Sequence, residues 1–186
     1  MPARAYTFIG GSLGDWDIVR IDAVAGEGLP AATCLEIRNA APSPRPPDAR
    51  WTLSGIVSHE RYVRRREREA LVARQPALGR TEASCAALIP ISKSAAWWAL
   101  AQDERREIFE ERSRHIEAGL GYLPAIARRL HHGRDLGESF DFLTWFEYAP
   151  QHAIAFEELV ALLRATEEWK YVEREVDIRL IRNSVP

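Results

Sequence analysis

Apolar and polar residues alternate along several stretches of the chain, which is the pattern of half-buried strands. Residues 140–148 would place Phe142, Thr144, Phe146 and Tyr148 on one face of such a strand. A chain with this pattern builds sheets that bury one face. Further strands are predicted at residues 5–10, 17–24, 51–58, 81–91, 126–134 and 171–181.

Apolar residues three or four positions apart predict helices elsewhere. Three helical stretches are predicted, at residues 59–77, 94–123 and 151–169. In the second stretch Ser94 can cap the start, the polar run from Ala101 to Glu107 can interrupt the helix, and Pro124 ends it. Residues 39–49 contain four prolines and are predicted to form a loop.

The order strand–helix–strand occurs twice, in residues 51–91 and 140–181. We therefore predict an α+β fold of antiparallel sheet and helices, built from two fused ferredoxin-like halves. The N-terminal half, residues 1–93, is truncated, because the proline-rich loop stands where a helix is expected. The C-terminal half, residues 94–186, is complete.

Composition limits the possible partners of the chain. It has 186 residues, of which 46% are hydrophobic, so a sizeable core is available. The formal net charge of −2 gives no electrostatic reason to expect nucleic acid or an anionic membrane as a partner. The two cysteines form no CxxC motif, and no apolar run approaches the length of a membrane span. We expect a cytoplasmic protein.

Two residues, His115 and Arg128, are candidates for a chemical role. On a helix, His115 would share a face with Ile108, Glu111 and Gly119, and a glycine one turn away would let a flat group approach that helix. On a strand, Arg128 would lie between apolar neighbours on its own side, where a buried arginine needs an anion or a carboxylate. From periodicity alone, a surface histidine and an ordinary edge-strand arginine are the better explanations of these residues.

Three longer segments, taken together, resemble the chlorite dismutase family of haem enzymes, and in particular its short, dimeric branch. They are HIEAGLGYLPAIAR at 115–128, FDFLTWFEYAP at 140–150 and EEWKYVEREVDIRL at 167–180. The resemblance implies a barrel-like sheet with one haem b per chain, held in the C-terminal half of a homodimer. It further implies an enzyme that converts chlorite to chloride and dioxygen, with formation of an O–O bond.

The resemblance also implies roles for individual residues. His115 falls on the position of the haem iron ligand, and Arg128 on that of the catalytic arginine on the opposite face of the macrocycle. Glu168 matches a glutamate that accepts a hydrogen bond from the iron-bound histidine; Glu167 is its neighbour, but the flanking residues favour Glu168. Gln75 matches a glutamine of short members that can hydrogen-bond Arg128.

Three further residues are candidates for binding the cofactor. Trp97, with Trp98, forms the WW pair that lies near haem and the subunit contact in the family. Lys93 and Tyr62 are candidates for the haem propionates, because a cation and a phenol at the rim of an apolar cleft suit carboxylates. Without the resemblance, Trp97 is an ordinary core residue and Lys93 an ordinary surface lysine.

Four other functions are alternatives to chlorite conversion. Coproheme decarboxylases share the fold and the histidine, but they lack the arginine and are longer. Dye-decolourising peroxidases carry a GxxDG motif that this sequence does not contain. A haem-binding or haem-delivery protein would keep His115 and have no use for Arg128. A small ferredoxin-like interaction module would bind no haem.

Overall fold

The computed structural model describes residues 5–40, 44–57 and 61–183. Within these ranges eight strands form a closed barrel in which all neighbours are antiparallel. The strands are β1 (Ala5–Gly11), β2 (Trp16–Ala25), β3 (Cys34–Arg38), β4 (Trp51–Ile56), β5 (Cys85–Lys93), β6 (Ile126–His132), β7 (Phe142–Tyr148) and β8 (Val172–Arg182). Their order around the barrel is β1-β3-β2-β8-β5-β7-β6-β4.

Helices cover part of the outer face of the barrel. They are α1 (Arg65–Arg74), α2 (Ala95–Ala99), α3 (Gln102–Arg106), a π-helix (Glu107–Arg112), α4 (His115–Gly121) and α5 (Ala153–Arg164), with short 3₁₀ turns at Arg134–Leu136, Pro150–His152 and Glu168–Tyr171. No helix in the described ranges is long and apolar enough to span a membrane.

The predicted strands all occur, displaced by a few residues at their ends. Strand β3 was missed, because its five residues, CLEIR, mix apolar and charged positions and are too few to establish a period. The helix predicted at 59–77 is shorter, at 65–74. Its predicted start at His59 lies outside the described residues.

The helical stretch from Ser94 to Pro124 is divided into four pieces. Leu100 and Ala101 are extended, and the Glu104 carboxylate accepts the Ala101 N–H at 2.6 Å, which starts a new helix. A second interruption follows at Arg114, whose φ of 52° lies in the left-handed region. The polar run from Ala101 signalled the first interruption, but the second had no counterpart in the sequence pattern.

Side chains alternate between the two faces of each strand, so hydrophobic residues form one cluster inside the barrel and a second on its outer face. Leu143 and Trp145 of β7 point into the barrel, where they join a core of large side chains from both halves. Phe142, Phe146 and Tyr148 of the same strand face outward and pack with residues of α5. The outer face of β5, β6 and β7 therefore forms a second apolar surface, and the candidate site lies on that surface.

The barrel contains two sets of four strands with the same internal order. The first set runs β4-β1-β3-β2, and the second runs β8-β5-β7-β6. Numbered within its own set, each runs 4-1-3-2. The sets meet along β2 and β8 through a long ladder and, among the described residues, along β4 and β6 through the pair Ile56 and His132. Strand β6 is held mainly by β7, with seven residue pairs.

Candidate active site

A cavity of about 540 Å³ lies between the outer face of the sheet and the helices. Its size is typical of sites for cofactors and other small molecules. Much of its wall is apolar, with Ile89, Ile91, Phe146, Val160 and Leu163 among the lining residues. All seven residues singled out in the sequence also line it: Tyr62, Gln75, Lys93, Trp97, His115, Arg128 and Glu168.

His115 is the first residue of α4, not a residue within a long helix. Arg114, in the left-handed conformation, turns the chain between the π-helix and α4, and its guanidinium Nε donates to Glu117 Oε2 at 2.6 Å. The Glu110 carboxylate accepts the Ile116 N–H at 2.6 Å and so satisfies one free donor of the new helix. The predicted shared face of His115 and Ile108 is therefore wrong, because a helix boundary lies between them.

The imidazole of His115 is held on two sides. Its Nδ1 lies 2.7 Å from Oε2 of Glu168, which leaves Nε2 as the nitrogen available to a ligand. The Phe109 ring stacks on the imidazole, with ring centroids 4.4 Å apart. Glu168 is fixed in turn, because its backbone N–H donates to the Ser113 hydroxyl at 2.9 Å. The neighbouring Glu167 instead forms an exposed ion pair with Arg112, at 3.0 Å.

Glu168 is a buried carboxylate between two cationic or potentially cationic groups. Its exposed fraction is 3%, and Oε1 accepts a hydrogen bond from Lys93 Nζ at 2.7 Å. Burial disfavours the ionised carboxylate, but the charges of His115 and Lys93 and their hydrogen bonds outweigh that effect and lower the pKa of Glu168 to about 2. Glu168 is therefore ionised at neutral pH and orients the imidazole.

Lys93 is buried, with an exposed fraction of 3%, rather than at the rim of the cleft where we expected it. Its ammonium group lies 4.7 Å from the ring centroid of Trp97 and 5.4 Å from that of Trp169. Its backbone N–H donates to the Asp141 carboxylate at 2.7 Å. Burial lowers the pKa of Lys93, and the ionised Glu168 opposes that shift, since a buried cation requires an anionic partner.

Tyr62 has a φ of 63°, which is uncommon for a bulky residue. Arg106 donates to its carbonyl oxygen and is itself paired with Glu67, 2.7 Å between Nη2 and Oε1. The Tyr62 ring lies 5.7 Å from the Phe109 ring and 6.1 Å from the Trp97 ring, between centroids. Its hydroxyl is buried and has no hydrogen-bond partner among the residues described.

Arg128 projects from β6 into the cavity and reaches α4. A Cβ placed on Gly119 would lie 2.9 Å from Arg128 Nη1, so the guanidinium rests against the bare backbone of α4. No carboxylate of the described ranges forms an ion pair with Arg128. Burial without such a partner lowers the pKa of Arg128. Among the residues that the structure describes, this guanidinium thus has no anionic partner.

Gln75 follows α1 and faces β6, as predicted for a residue near Arg128. Its side-chain Nε2 donates to the backbone carbonyl of Arg128 and not to the guanidinium. The contact joins the end of α1 to the strand that carries the arginine. Gln75 therefore positions the backbone of Arg128 in this structure, while the guanidinium stays free to point into the cavity.

Two residues of the cavity wall were missed in the sequence. His132 lies on the same face of β6 as Arg128, and Arg61 precedes Tyr62; both line the cavity. The two-residue period of β6 was the available signal, because positions 128, 130 and 132 share one face. The same period places His131 and His132 on opposite sides of β6. In the structure His131 lies inside the barrel, with its ring 5.1 Å from that of Phe8.

Comparison with known proteins identifies the family of this chain. A model of the family described as chlorite dismutase matches residues 46–183. The chain belongs to the chlorite dismutase family. A dimeric chlorite dismutase from Nitrobacter winogradskyi is 60% identical; the match covers 95% of this chain and 99% of that one, with a TM-score of 0.89.

Other members of the chlorite dismutase family match less of their own length. A curated chlorite dismutase from Ideonella dechloratans is 34% identical over 84 residues, which is 45% of this chain and 27% of that relative. A structure of chlorite dismutase from Candidatus Nitrospira defluvii in complex with imidazole is 27% identical, with a TM-score of 0.60. That match covers 73% of this chain and 56% of the other.

Proposed function

We propose that this protein is a chlorite dismutase that binds one haem b per chain through His115 and converts chlorite to chloride and dioxygen. The observation that carries the proposal is the presence of two groups in one cavity. His115, hydrogen-bonded to the Glu168 carboxylate, lines it from α4, and the guanidinium of Arg128, which has no carboxylate partner among the described residues, projects into it from β6. Family membership supports the same function.

The residues of the cavity fit haem by their chemistry. An imidazole that donates from Nδ1 to a carboxylate presents Nε2 to iron as a stronger donor. Gly119 leaves the backbone of α4 bare one turn after His115, and in this structure the Arg128 guanidinium fills the space beside it. The apolar wall of β5, β7 and α5 suits the hydrocarbon face of a macrocycle.

Each side chain then has a distinct part in the reaction. Haem iron supplies, when bound, the redox chemistry that breaks the Cl–O bond and allows the two oxygen atoms of chlorite to join. Chlorite, as one anion, yields one chloride ion and one dioxygen molecule, so no external reductant is required. Arg128 attracts the anion, holds its chlorine-containing fragment in the cavity and stabilises developing negative charge. Glu168 keeps His115 in one tautomer and orientation.

The proposal extends to the oligomeric state and to the internal organisation of the chain. We infer a homodimer, because the relative that is 60% identical over nearly the whole chain is described as dimeric. We also infer two fused ferredoxin-like halves, since each set of four strands has the order 4-1-3-2. The boundary then falls between β4 and β5 and not at Lys93, because β5 pairs only with β7 and β8.

The test is to add hemin to the purified protein, record the Soret band, and then add chlorite and follow dioxygen with an electrode. We expect a Soret band, and dioxygen released in a one-to-one ratio with chlorite. His115→Ala should lose or loosen hemin, and His152→Ala, outside the cavity wall, should not. A Soret band without dioxygen would favour a haem-binding or haem-delivery protein. A protein that binds no hemin would refute the proposal.

A further inference from the structure

A second cavity, of about 320 Å³, lies against the face of β6 that points into the barrel. Its size is at the lower end of the range for sites that bind small molecules. Tyr6, Phe8 and Trp145 give it an aromatic wall, and Arg129 and His131 of β6 also line it. None of these five residues has a part in the function proposed above, so the cavity differs in its chemistry from the candidate active site.

His131 brings a buried hydrogen-bond acceptor to this cavity. Its exposed fraction is 1%, and its Nδ1 lies 3.1 Å from the carbonyl oxygen of Leu143, which can only accept, so Nδ1 carries the hydrogen. Burial lowers the pKa of His131 to about 4, and the imidazole is therefore neutral at pH 7. Nε2 is then an acceptor that is buried and has no hydrogen-bond partner among the described residues. Buried acceptors of this kind usually meet a ligand or water.

Arg129 brings a positive charge to the same cavity. Its guanidinium lies 5.1 Å from the centroid of the Tyr6 ring, and the His131 imidazole meets that ring edge to face, with centroids 5.1 Å apart. Arg129 borders both cavities, but this contact places its guanidinium on the side of β6 that carries His131. Within the described ranges no carboxylate forms an ion pair with Arg129. Tyr6 thus connects an unpaired cation to an acceptor without a donor.

Glu147 also lines the cavity, but its carboxylate is engaged elsewhere. Oε1 accepts a hydrogen bond from the Trp145 indole at 2.9 Å, and Oε2 accepts the Gly79 N–H at 2.6 Å. Arg182 Nη2 approaches the same Oε2 at 3.7 Å. Glu147 therefore holds the wall together, and the Arg129 guanidinium remains available to an anion from outside the chain.

The spacing of the two groups limits the shape of a ligand that uses both. Arg129 and His131 are alternate residues of one strand, so their side chains leave the same face about 6.6 Å apart. A ligand that spans them needs an anionic group at one end and a hydrogen-bond donor at the other. The aromatic wall of Phe8 and Trp145 favours a flat, apolar body between these ends. A benzene ring with a carboxylate and a hydroxyl group in para positions has all three features.

We infer that this cavity binds a small aromatic acid that carries a hydroxyl or N–H group at the end opposite its carboxylate. Arg129 pairs with the carboxylate, His131 Nε2 accepts the hydrogen bond from the other end, and the ring packs against Tyr6 and Trp145. The inference is independent of the proposed function, because it uses no residue assigned to haem or chlorite.

The experiment is a calorimetric titration of the full chain at pH 7 with three probes that share a benzene ring. 4-Hydroxybenzoate has both polar groups, benzoate lacks the donor, and phenol lacks the carboxylate. We expect 4-hydroxybenzoate to bind about fivefold more tightly than benzoate and about tenfold more tightly than phenol, since a hydrogen bond to a charged group is the stronger of the two. His131→Phe should abolish the first preference, and Arg129→Gln the second.

Arg128→Gln is the matched control, because it makes the same change one residue away, on the face of β6 that lines the candidate active site. It should leave the affinity for 4-hydroxybenzoate unchanged. Loss of binding in Arg128→Gln but not in Arg129→Gln would place the probe in the other cavity and overturn the inference. Equal affinity for the three probes, or no binding at millimolar concentration, would overturn it too. If His131→Phe does not fold, Arg129→Gln decides, since Arg129 is only partly buried.

Discussion

Replacing Glu168 with glutamine tests whether this carboxylate organises the site. The substitution keeps the size of the side chain but removes the negative charge between His115 and Lys93. The ammonium group of Lys93 would then be buried without an anion, and the His115 N–H would face an amide. We expect the folded protein to lose stability and the imidazole to lose its fixed orientation.

The magnitude follows from the pKa of Glu168. A carboxyl group lowered from 4.5 to about 2 on folding contributes roughly 3 kcal/mol to the free energy of unfolding at neutral pH, because one pKa unit is worth about 1.4 kcal/mol. Loss of one member of a buried ion pair typically costs about 3–5 kcal/mol, which agrees. Since the folded-state pKa is below the unfolded value, this contribution is present above pH 4.5 and is lost as the pH falls towards 2.

The assay is urea unfolding, followed by tryptophan fluorescence at several pH values without added hemin. Glu168→Gln should be about 3 kcal/mol less stable than wild type at pH 7, and the difference should shrink between pH 4.5 and 2. Glu167→Gln is the control, because its exposed pair with Arg112 should contribute less than about 1 kcal/mol. A loss below about 1 kcal/mol in Glu168→Gln, or a difference independent of pH, would refute the reasoning.

A double-mutant cycle isolates the pair of Glu168 and Lys93. Lys93→Met alone leaves the carboxylate to His115 and should destabilise the protein. The double variant, Glu168→Gln with Lys93→Met, removes both charges, and apolar replacement of a buried pair is often tolerated. The double variant should therefore be more stable than the sum of the single losses predicts, by about 1–2 kcal/mol. Additive losses would mean that the two residues act independently.

Three further predictions concern other parts of the structure. Gly119→Ala should leave the hemin-free protein as stable or up to about 1 kcal/mol more stable, because alanine favours helix and the crowded Arg128 atom ends a flexible side chain; hemin titration should show weaker binding. Arg128→Ala should keep the Soret band, lower chlorite turnover about a hundredfold and bleach sooner, and a hypochlorite trap should protect it more than wild type. Burial lowers the pKa of His131 to about 4, so the unfolded chain binds a proton there before the folded protein does, and the protein loses stability as the pH falls from 6.5 to 4. His131→Gln should make this loss of stability smaller, as measured by urea unfolding across that pH range.

The strands and their faces could be predicted from the sequence. In β7 the alternation correctly placed Phe142, Phe146 and Tyr148 on one side, because a strand with two different environments must alternate. The same rule places Arg128 and His131 on opposite faces of β6. Those assignments depend on local geometry alone, and local geometry is what a sequence pattern records.

The arrangement of the site could not be predicted from the sequence, because it depends on contacts between residues far apart in the chain. A break at Arg114 makes His115 the first residue of α4, and no glycine or proline marks that break. Lys93 was expected at the rim of the cleft, yet a buried carboxylate from a residue 75 positions away holds it inside. Partners so distant in the chain leave no periodic signal. The neighbours of Tyr62 and His132 were hidden for the same reason.

The cavity wall depends on one ladder, that of β6 with β7. The side chains of Arg128 and His132 face the cavity, whereas Arg129 packs over the Tyr6 ring and His131 against Phe8, on the other face of β6. A slip of one residue along β7 would exchange these faces and place a different arginine and histidine in the cavity. Among the described residues β6 forms one pair with β4 and seven with β7, so the register of β6 depends mainly on the β7 ladder. The apolar outer face of β7 therefore shapes the site and also selects which arginine reaches it.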